Sequence, residues 1–296
     1  MNHAPKRNYG FGAKKISIYP TLDSKERKMN VLVISGSPRR KDSYQVCMEI
    51  WNELKKYDSG IEFEYLQLSQ SSISECRGCA ICFQKSELLC PCKDDEIRSI
   101  KEKMKNADAI ILSSPVYAYQ VTGQMKLFID RLSYLFHRPE FCGKPVLIVV
   151  TTDGGGSKQV YKYLKMTVSG WAMDLVGDVQ IISPMYFENR EPKSVFKFNK
   201  RIYAKGQKRI KILAKKLYEK MGQSNKKVPT FYDIFLFNCL RSKIYTSDAD
   251  RTYWRDKGWI DAPYFFDVDL NLVKRFFGKV MKRLIDMLGK KLSSGT

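Results

Sequence analysis

The chain has 296 residues, of which 44% are hydrophobic and 28% charged, and it carries a net charge of +21. That length supports one substantial core with room for a further element. No apolar run approaches the roughly 18 residues of a membrane span, and residues 1–28 form a basic, polar N-terminal extension without the apolar core of a secretory signal, so a cytoplasmic location is expected.

Residues 29–34 are a short, almost wholly apolar, β-branched run, as expected of a buried parallel strand. A Ser-Gly-Ser-Pro turn follows at 35–38, and then residues 43–57 place Val46, Cys47, Ile50, Trp51 and Leu54 at helical spacing. Further strands are predicted at 61–68, 109–113, 145–150 and 179–182, with helices at 94–106, 123–135, 157–173 and 194–221. Strands alternating with helices imply a doubly wound α/β domain with a five-stranded parallel sheet over residues 29–221. Two histidines, His3 and His137, leave little for a His-rich metal site or a Ser-His-Asp triad.

In open α/β sheets ligands lie beyond the carboxyl ends of the strands, where a following helix aims free N–H groups at an anion. The first such turn, residues 35–43, offers Ser35, Gly36, Ser37, Arg39, Arg40 and Ser43. It has neither the Gly-x-Gly-x-x-Gly of dinucleotide binding nor the Gly-Lys-Ser/Thr of a nucleoside triphosphate loop. A mononucleotide phosphate fits it best.

Gly36-Ser37-Pro38-Arg39 followed by a serine resembles the phosphate loop of the NADPH-dependent FMN reductase family. Ser114-Pro115-Val116-Tyr117, ahead of the segment 123–131, resembles that family's isoalloxazine loop, and Thr152-Asp153-Gly154-Gly155-Gly156 resembles its third flavin loop. Any α/β sheet needs turn residues of this kind, but here three loops each follow a strand in the family's order. The resemblance implies a flavodoxin-like fold that binds FMN through Ser35, Ser37, Arg39, Ser43, Pro115, Val116, Tyr117, Thr152, Gly154 and Gly155. It also implies NAD(P)H as electron donor and a homodimer or homotetramer.

Five of the eight cysteines crowd into a cysteine-rich insertion at 74–93. In a reducing compartment such crowding reads as metal or redox chemistry rather than as disulfides. Cys76-x2-Cys79-x2-Cys82-x7-Cys90 has the ligand logic of a [4Fe-4S] cluster: three thiols on one tight loop and a fourth from farther along. It resembles the motif of the iron–sulfur flavoprotein branch of the same family. Cys92 is the alternative fourth ligand, and zinc or a set of reduced thiols are the other readings of the same residues. Asp94 and Asp95 read as caps of the next helix, and Cys47, Cys142 and Cys239 as core or incidental thiols.

From residue 190 onward there are 26 Lys and Arg against 10 Asp and Glu, so the basic surplus sits mainly in the C-terminal part. Residues 222–229 read as a linker into a basic, aromatic C-terminal extension, 222–296. Residues 272–288 place Val273, Phe276, Phe277, Val280, Met281, Leu284 and Leu288 on one helical face, and Lys274, Arg275, Lys279, Lys282 and Arg283 on the other. The extension is expected to pack on its own domain or a neighbouring subunit, covering the flavin site, or to touch an anionic membrane surface. No nucleic-acid module accompanies the charge. The expected function is an oxidoreductase that takes electrons from NAD(P)H and passes them from the flavin to the cluster or to an external quinone, nitroaromatic or redox protein. In this reading no side chain serves as acid or base. An electron carrier without its own substrate, a cluster-free FMN reductase and a thiol-dependent sensor are the alternatives.

Overall fold

The computed structural model describes residues 28–183, 196–223 and 228–293; the expected N-terminal extension, apart from Lys28, lies outside them, as do residues 224–227 of the expected linker. The apolar runs form five strands, β1 (Asn30–Ser35), β2 (Glu62–Gln67), β3 (Ala109–Pro115), β4 (Pro145–Thr152) and β5 (Asp174–Ile182). They make one parallel sheet in the order β2-β1-β3-β4-β5. Successive side chains of a strand point to opposite faces, and both faces are covered. Leu32, Ile34, Ile110, Leu112, Ile148 and Val150 enter one buried cluster, whereas Val31, Val33, Ile111, Leu147 and Val149 enter the other.

Along the chain the helices are α1 (Asp42–Leu54), α2 (Ile81–Gln84), α3 (Ile97–Asn106), α4 (Gly123–Arg131), α5 (Ser157–Gly170), α6 (Phe196–Gly222), α7 (Phe231–Arg241), α8 (Asp248–Asp256) and α9 (Leu272–Ser293). α1 and α6 cover one face of the sheet through Val46, Ile50, Leu54, Ile210, Leu213 and Leu217. α3, α4 and α5 cover the other through Ile100, Met104, Phe128, Leu164 and Val168. β5 begins five residues earlier than predicted, because an edge strand pairs on one side only and can carry the polar Asp174 and Asp178 on a half-buried face. α4 stops at Arg131, four residues early, and a 3₁₀ turn at Ser133–Phe136 buries Tyr134 and Leu135 instead. α5 stops at Gly170, where an added Cβ would lie 2.3 Å from the Phe136 ring, and Ala172 then takes a left-handed backbone (φ 59°).

The C-terminal aromatics form α7, α8 and their connections. Thr230 and Asp233 make a reciprocal capping box on α7, and the Ser247 hydroxyl accepts from Asp250 N to cap α8. Phe237, Trp254, Trp259 and Phe265 pack into a third core with Ala172 and Cys142 of the sheet domain. Phe237 and Phe265 meet edge to face at 4.8 Å, and Trp259 and Phe265 at 5.0 Å. Trp254 Nε1 donates to His137 O at 2.7 Å, and the Tyr253 hydroxyl donates to Pro139 O at 2.8 Å. The C-terminal helices therefore rest on their own chain. Trp254→Ala removes the centre of this third core, and is expected to lower unfolding stability by about 3–5 kcal/mol, measured as a drop in the urea midpoint.

Candidate functional site

Parallel strands all end at one edge, and the loops that leave β1, β3 and β4 meet there. Pro115 pairs with Thr151 across the β3–β4 ladder, and Ser35 pairs with Ser113 across β1–β3. Ser37, Arg39, Lys41, Asp42, Ser43, Pro115, Val116, Tyr117, Thr151, Thr152, Asp153 and Ser183 line one cavity of about 250 Å³. Of the ten residues expected on sequence grounds, seven are on that list. Ser35 lies behind it, buried and bonded to Ser37 N (3.2 Å) and the Tyr65 hydroxyl (2.8 Å). Gly154 and Gly155 follow Asp153 in the same turn, and Gly154 has open space where a Cβ would stand.

The loops are tied to one another rather than merely adjacent. Ser43 and Thr151 share a hydroxyl–hydroxyl bond of 2.6 Å, joining the start of α1 to the end of β4. Thr122, which caps α4, donates to Gly36 O at 2.8 Å and accepts from Met125 N. A Cβ at Gly36 would lie 2.6 Å from the Thr122 hydroxyl, so this close approach requires glycine. Thr152 accepts from Gly154 N and donates to Gly155 O at 2.6 Å, shaping the third loop. Tyr117 and Gln120 exchange backbone hydrogen bonds around Ala118 and Tyr119, both left-handed. Arg39 and Lys41 are exposed beside the N-terminus of α1, whose free N–H groups carry partial positive charge.

On the α3–α4 side, Cys76, Cys79, Cys82, Cys90 and Cys92 all line a second cavity of about 130 Å³. Gly78 (φ 65°) and Ala80 (φ 57°) are left-handed, which curls the Cys76–Cys82 segment so that its three cysteines line the same space. Burial pushes the Cys82 thiol up, and charge on Cys76, Cys90 and Cys79 adds to that. Among the described residues no three His, Cys, Asp or Glu side chains stand in metal-ligand geometry. Cys92 is buried and donates to Glu75 O at 3.5 Å, whereas Cys90 is half-buried with its sulfur 3.8 Å from Arg131 Nη2.

The model of the NADPH-dependent FMN reductase family matches residues 29–188. This chain belongs to that family. Iron-sulfur flavoproteins are similar to it: one from Archaeoglobus fulgidus is 35% identical over 151 residues, which is 50% of this chain and 66% of that protein. Another, from Methanocaldococcus jannaschii, is 37% identical over 131 residues, covering 43% and 65%. The chain thus spans just under two thirds of the length of these relatives. A quinone reductase from Escherichia coli is 35% identical over 74 residues, 24% of this chain and 39% of that protein.

In this FMN reductase family member, several structural residues of the cysteine cavity carry no local sequence signal. Arg131, at the last position of α4, is buried; it ion-pairs with Asp95 and donates to Ser74 O and Cys92 O, both at 3.0 Å. Asp95 was expected as a helix cap; it does accept from Ile97 N (3.4 Å), but its other oxygen binds Arg131 and Ser74 N, while Asp94 is exposed. Arg138 donates to Cys82 O, and Ser247 to Phe83 O at 2.8 Å. His137 bonds Asp250 at 2.8 Å. No described residue of 228–293 lines the first cavity; the extension packs on its own domain, where it contacts the cysteine segment. Cys47 is fully buried, and burial pushes its thiol up to about 12, in keeping with a core thiol.

Arg131→Met leaves the buried Asp95 carboxylate unpaired, and should cost about 3–5 kcal/mol in urea unfolding. Below the same cavity, burial pushes the Glu140 carboxyl up, but bonds from Lys105 and Lys101 outweigh it and hold the group below its ordinary range. A carboxyl depressed by folding adds stability above its unfolded value, about 4.3, that is lost as pH falls through the folded value. Urea midpoints taken downward from about pH 5 should therefore fall more steeply for the wild type than for Glu140→Gln.

Proposed function

We propose that this protein is an FMN-dependent NAD(P)H oxidoreductase that passes electrons to a [4Fe-4S] cluster held by Cys76, Cys79, Cys82 and Cys90, or to an external acceptor. The observation that carries the reading is the convergence of three strand-end loops on one cavity whose wall combines serine hydroxyls, two cations and the N-terminus of α1. Those groups suit a terminal phosphate: Arg39 and Lys41 supply charge, and the α1 N–H groups supply donors. Ser37 and Ser43 hold the loop in shape through their bonds to Arg39 O and Thr151. Pro115, Val116 and Tyr117 offer an apolar wall for a flat ring, and the open backbone at Gly154 lets its edge approach. FMN, when bound, accepts hydride from a nicotinamide and releases electrons singly.

The cysteine cavity suits a cluster on similar grounds. The four cysteines line one cavity together with Arg98, Lys101 and Arg131, whose positive charge would offset part of the negative charge of four thiolates. Cys90 is favoured over Cys92 as the fourth ligand because the Cys92 thiol is buried toward Glu75 O. The two cavities share no lining residue, and Cys76 and Cys79 are exposed. This supports electron exit toward another subunit of a homodimer or homotetramer, or toward a soluble quinone, rather than through a common pocket.

Anaerobically purified protein is expected to show flavin bands with a broad iron–sulfur shoulder and to contain iron and sulfide. Serine at Cys76, Cys79 or Cys82 should abolish the iron and keep the flavin; retention of full iron in all three sinks the cluster assignment. Arg39→Gln should weaken FMN binding about tenfold or more, read by fluorescence titration of apoprotein. NADH or NADPH should be oxidised in steady state with a quinone as acceptor. Absence of turnover with every small acceptor would mean an electron carrier instead.

A further inference from the structure

α9 is mounted on the chain by one face only. Phe277 meets Phe231 edge to face at 5.3 Å, and Gly278 and Gly289 lie against Ile234 and Tyr245. Asp286 binds Arg241 at 3.0 Å. The opposite face carries a stripe of large apolar side chains in water: Leu272 is 82% exposed, Phe276 70% and Met287 61%, with Val273, Val280, Leu284 and Leu288 exposed as well. At 100° per residue, Leu272, Phe276, Val280, Leu284 and Met287 fall within a sector of about 120°, along some 24 Å of helix. Phe277 and Met281, expected on that same face, are half-buried instead, Phe277 being turned toward Phe231 of α7.

Charge on α9 is one-sided in sign. Residues 272–293 hold seven Lys and Arg and a single acidic residue, Asp286, which is turned inward to Arg241. Lys279 and Arg283 are exposed along one margin of the stripe. Arg275 and Lys282 pair with the exposed Asp269 and Asp261, but the stripe itself bears no outward carboxylate of α9. An exposed apolar stripe with cations at its border is matched by a surface that offers hydrocarbon beneath a layer of negative charge. A second copy of this chain would bring like-charged margins together, and a nucleic acid would leave the apolar side chains in water. No described helix is long and apolar enough to cross a membrane. We infer that α9 lies in the surface of an anionic bilayer, with its apolar stripe among the acyl chains and Lys279 and Arg283 among the headgroup phosphates.

The test uses the full-length flavin-loaded protein and sedimentation with vesicles of phosphatidylcholine containing about 30% phosphatidylserine, against phosphatidylcholine alone. Binding is expected to the anionic vesicles, at least about tenfold tighter than to the neutral ones, and to weaken as salt is raised from about 0.1 M. The double substitutions Phe276→Ser with Leu284→Ser, and Lys279→Gln with Arg283→Gln, should each weaken binding about tenfold or more. All four side chains are exposed, so the visible spectrum and urea midpoint should stay as in the wild type. Equal binding to both vesicle types, no binding to anionic vesicles, or undiminished binding by both variants overturns the proposal. So does a vesicle-independent dimer that Phe276→Ser with Leu284→Ser converts to monomer, since the stripe would then be a contact between copies.

Discussion

Hydrogen bonding in a parallel ladder obliges β1, β3 and β4 to end at one edge, and the site depends on that. The strand order reverses direction at β1, with β2 on one side and β3 on the other, so the loops after β1 and β3 diverge and leave a crevice. Gly36 then permits the β1 loop to touch the cap of α4, and Thr122 ties the two loops through Gly36 O. The Ser43–Thr151 bond closes the third side. These contacts fix how the serines and glycines of the three loops stand toward one another.

The cysteine segment is organised differently. It has only the short α2 and a 3₁₀ turn at Glu87–Leu89 of its own, and several of its backbone carbonyls are satisfied by arginines from elsewhere. Arg131 binds Ser74 O and Cys92 O while pairing with Asp95, and Arg138 binds Cys82 O. Each guanidinium offers five donors in a fixed fork, which suits bridging several carbonyls at once. The same charges stand beside the thiols, so the groups that shape the loop also set its electrostatic surroundings. Ser247 and Trp254 add a further constraint by fastening Phe83 O and His137 O to α8.

Two cavities with no lining residue in common, built on opposite principles, thus occupy one domain. One is formed by strand ends and helix termini, where backbone groups are left free by the fold. The other is formed by side chains that compensate for the lack of regular structure. The C-terminal helices support the second and leave the first open, while α9 keeps its apolar stripe on the outside.

The strands, their parallel arrangement and much of the first cavity's lining were legible in the sequence, because buried strands need continuous apolar runs and phosphate-type loops need glycine and hydroxyls at fixed offsets. Ser37, Arg39 and Ser43 stood out by local pattern, as did the crowding of the cysteines, whereas Pro115, Val116, Tyr117 and Thr152 were marked by the resemblance of their segments to the family's flavin loops. Arg131, Arg138 and the split role of Asp95 could not be read that way: the partners named above are 21 to 57 residues away along the chain, and no local rule links them. Helical periodicity also showed that α9 is amphipathic but not which of its apolar residues would be covered. That depended on α7 presenting Phe231 and Ile234 to one side of the helix, a fact of tertiary packing that leaves the other side in water.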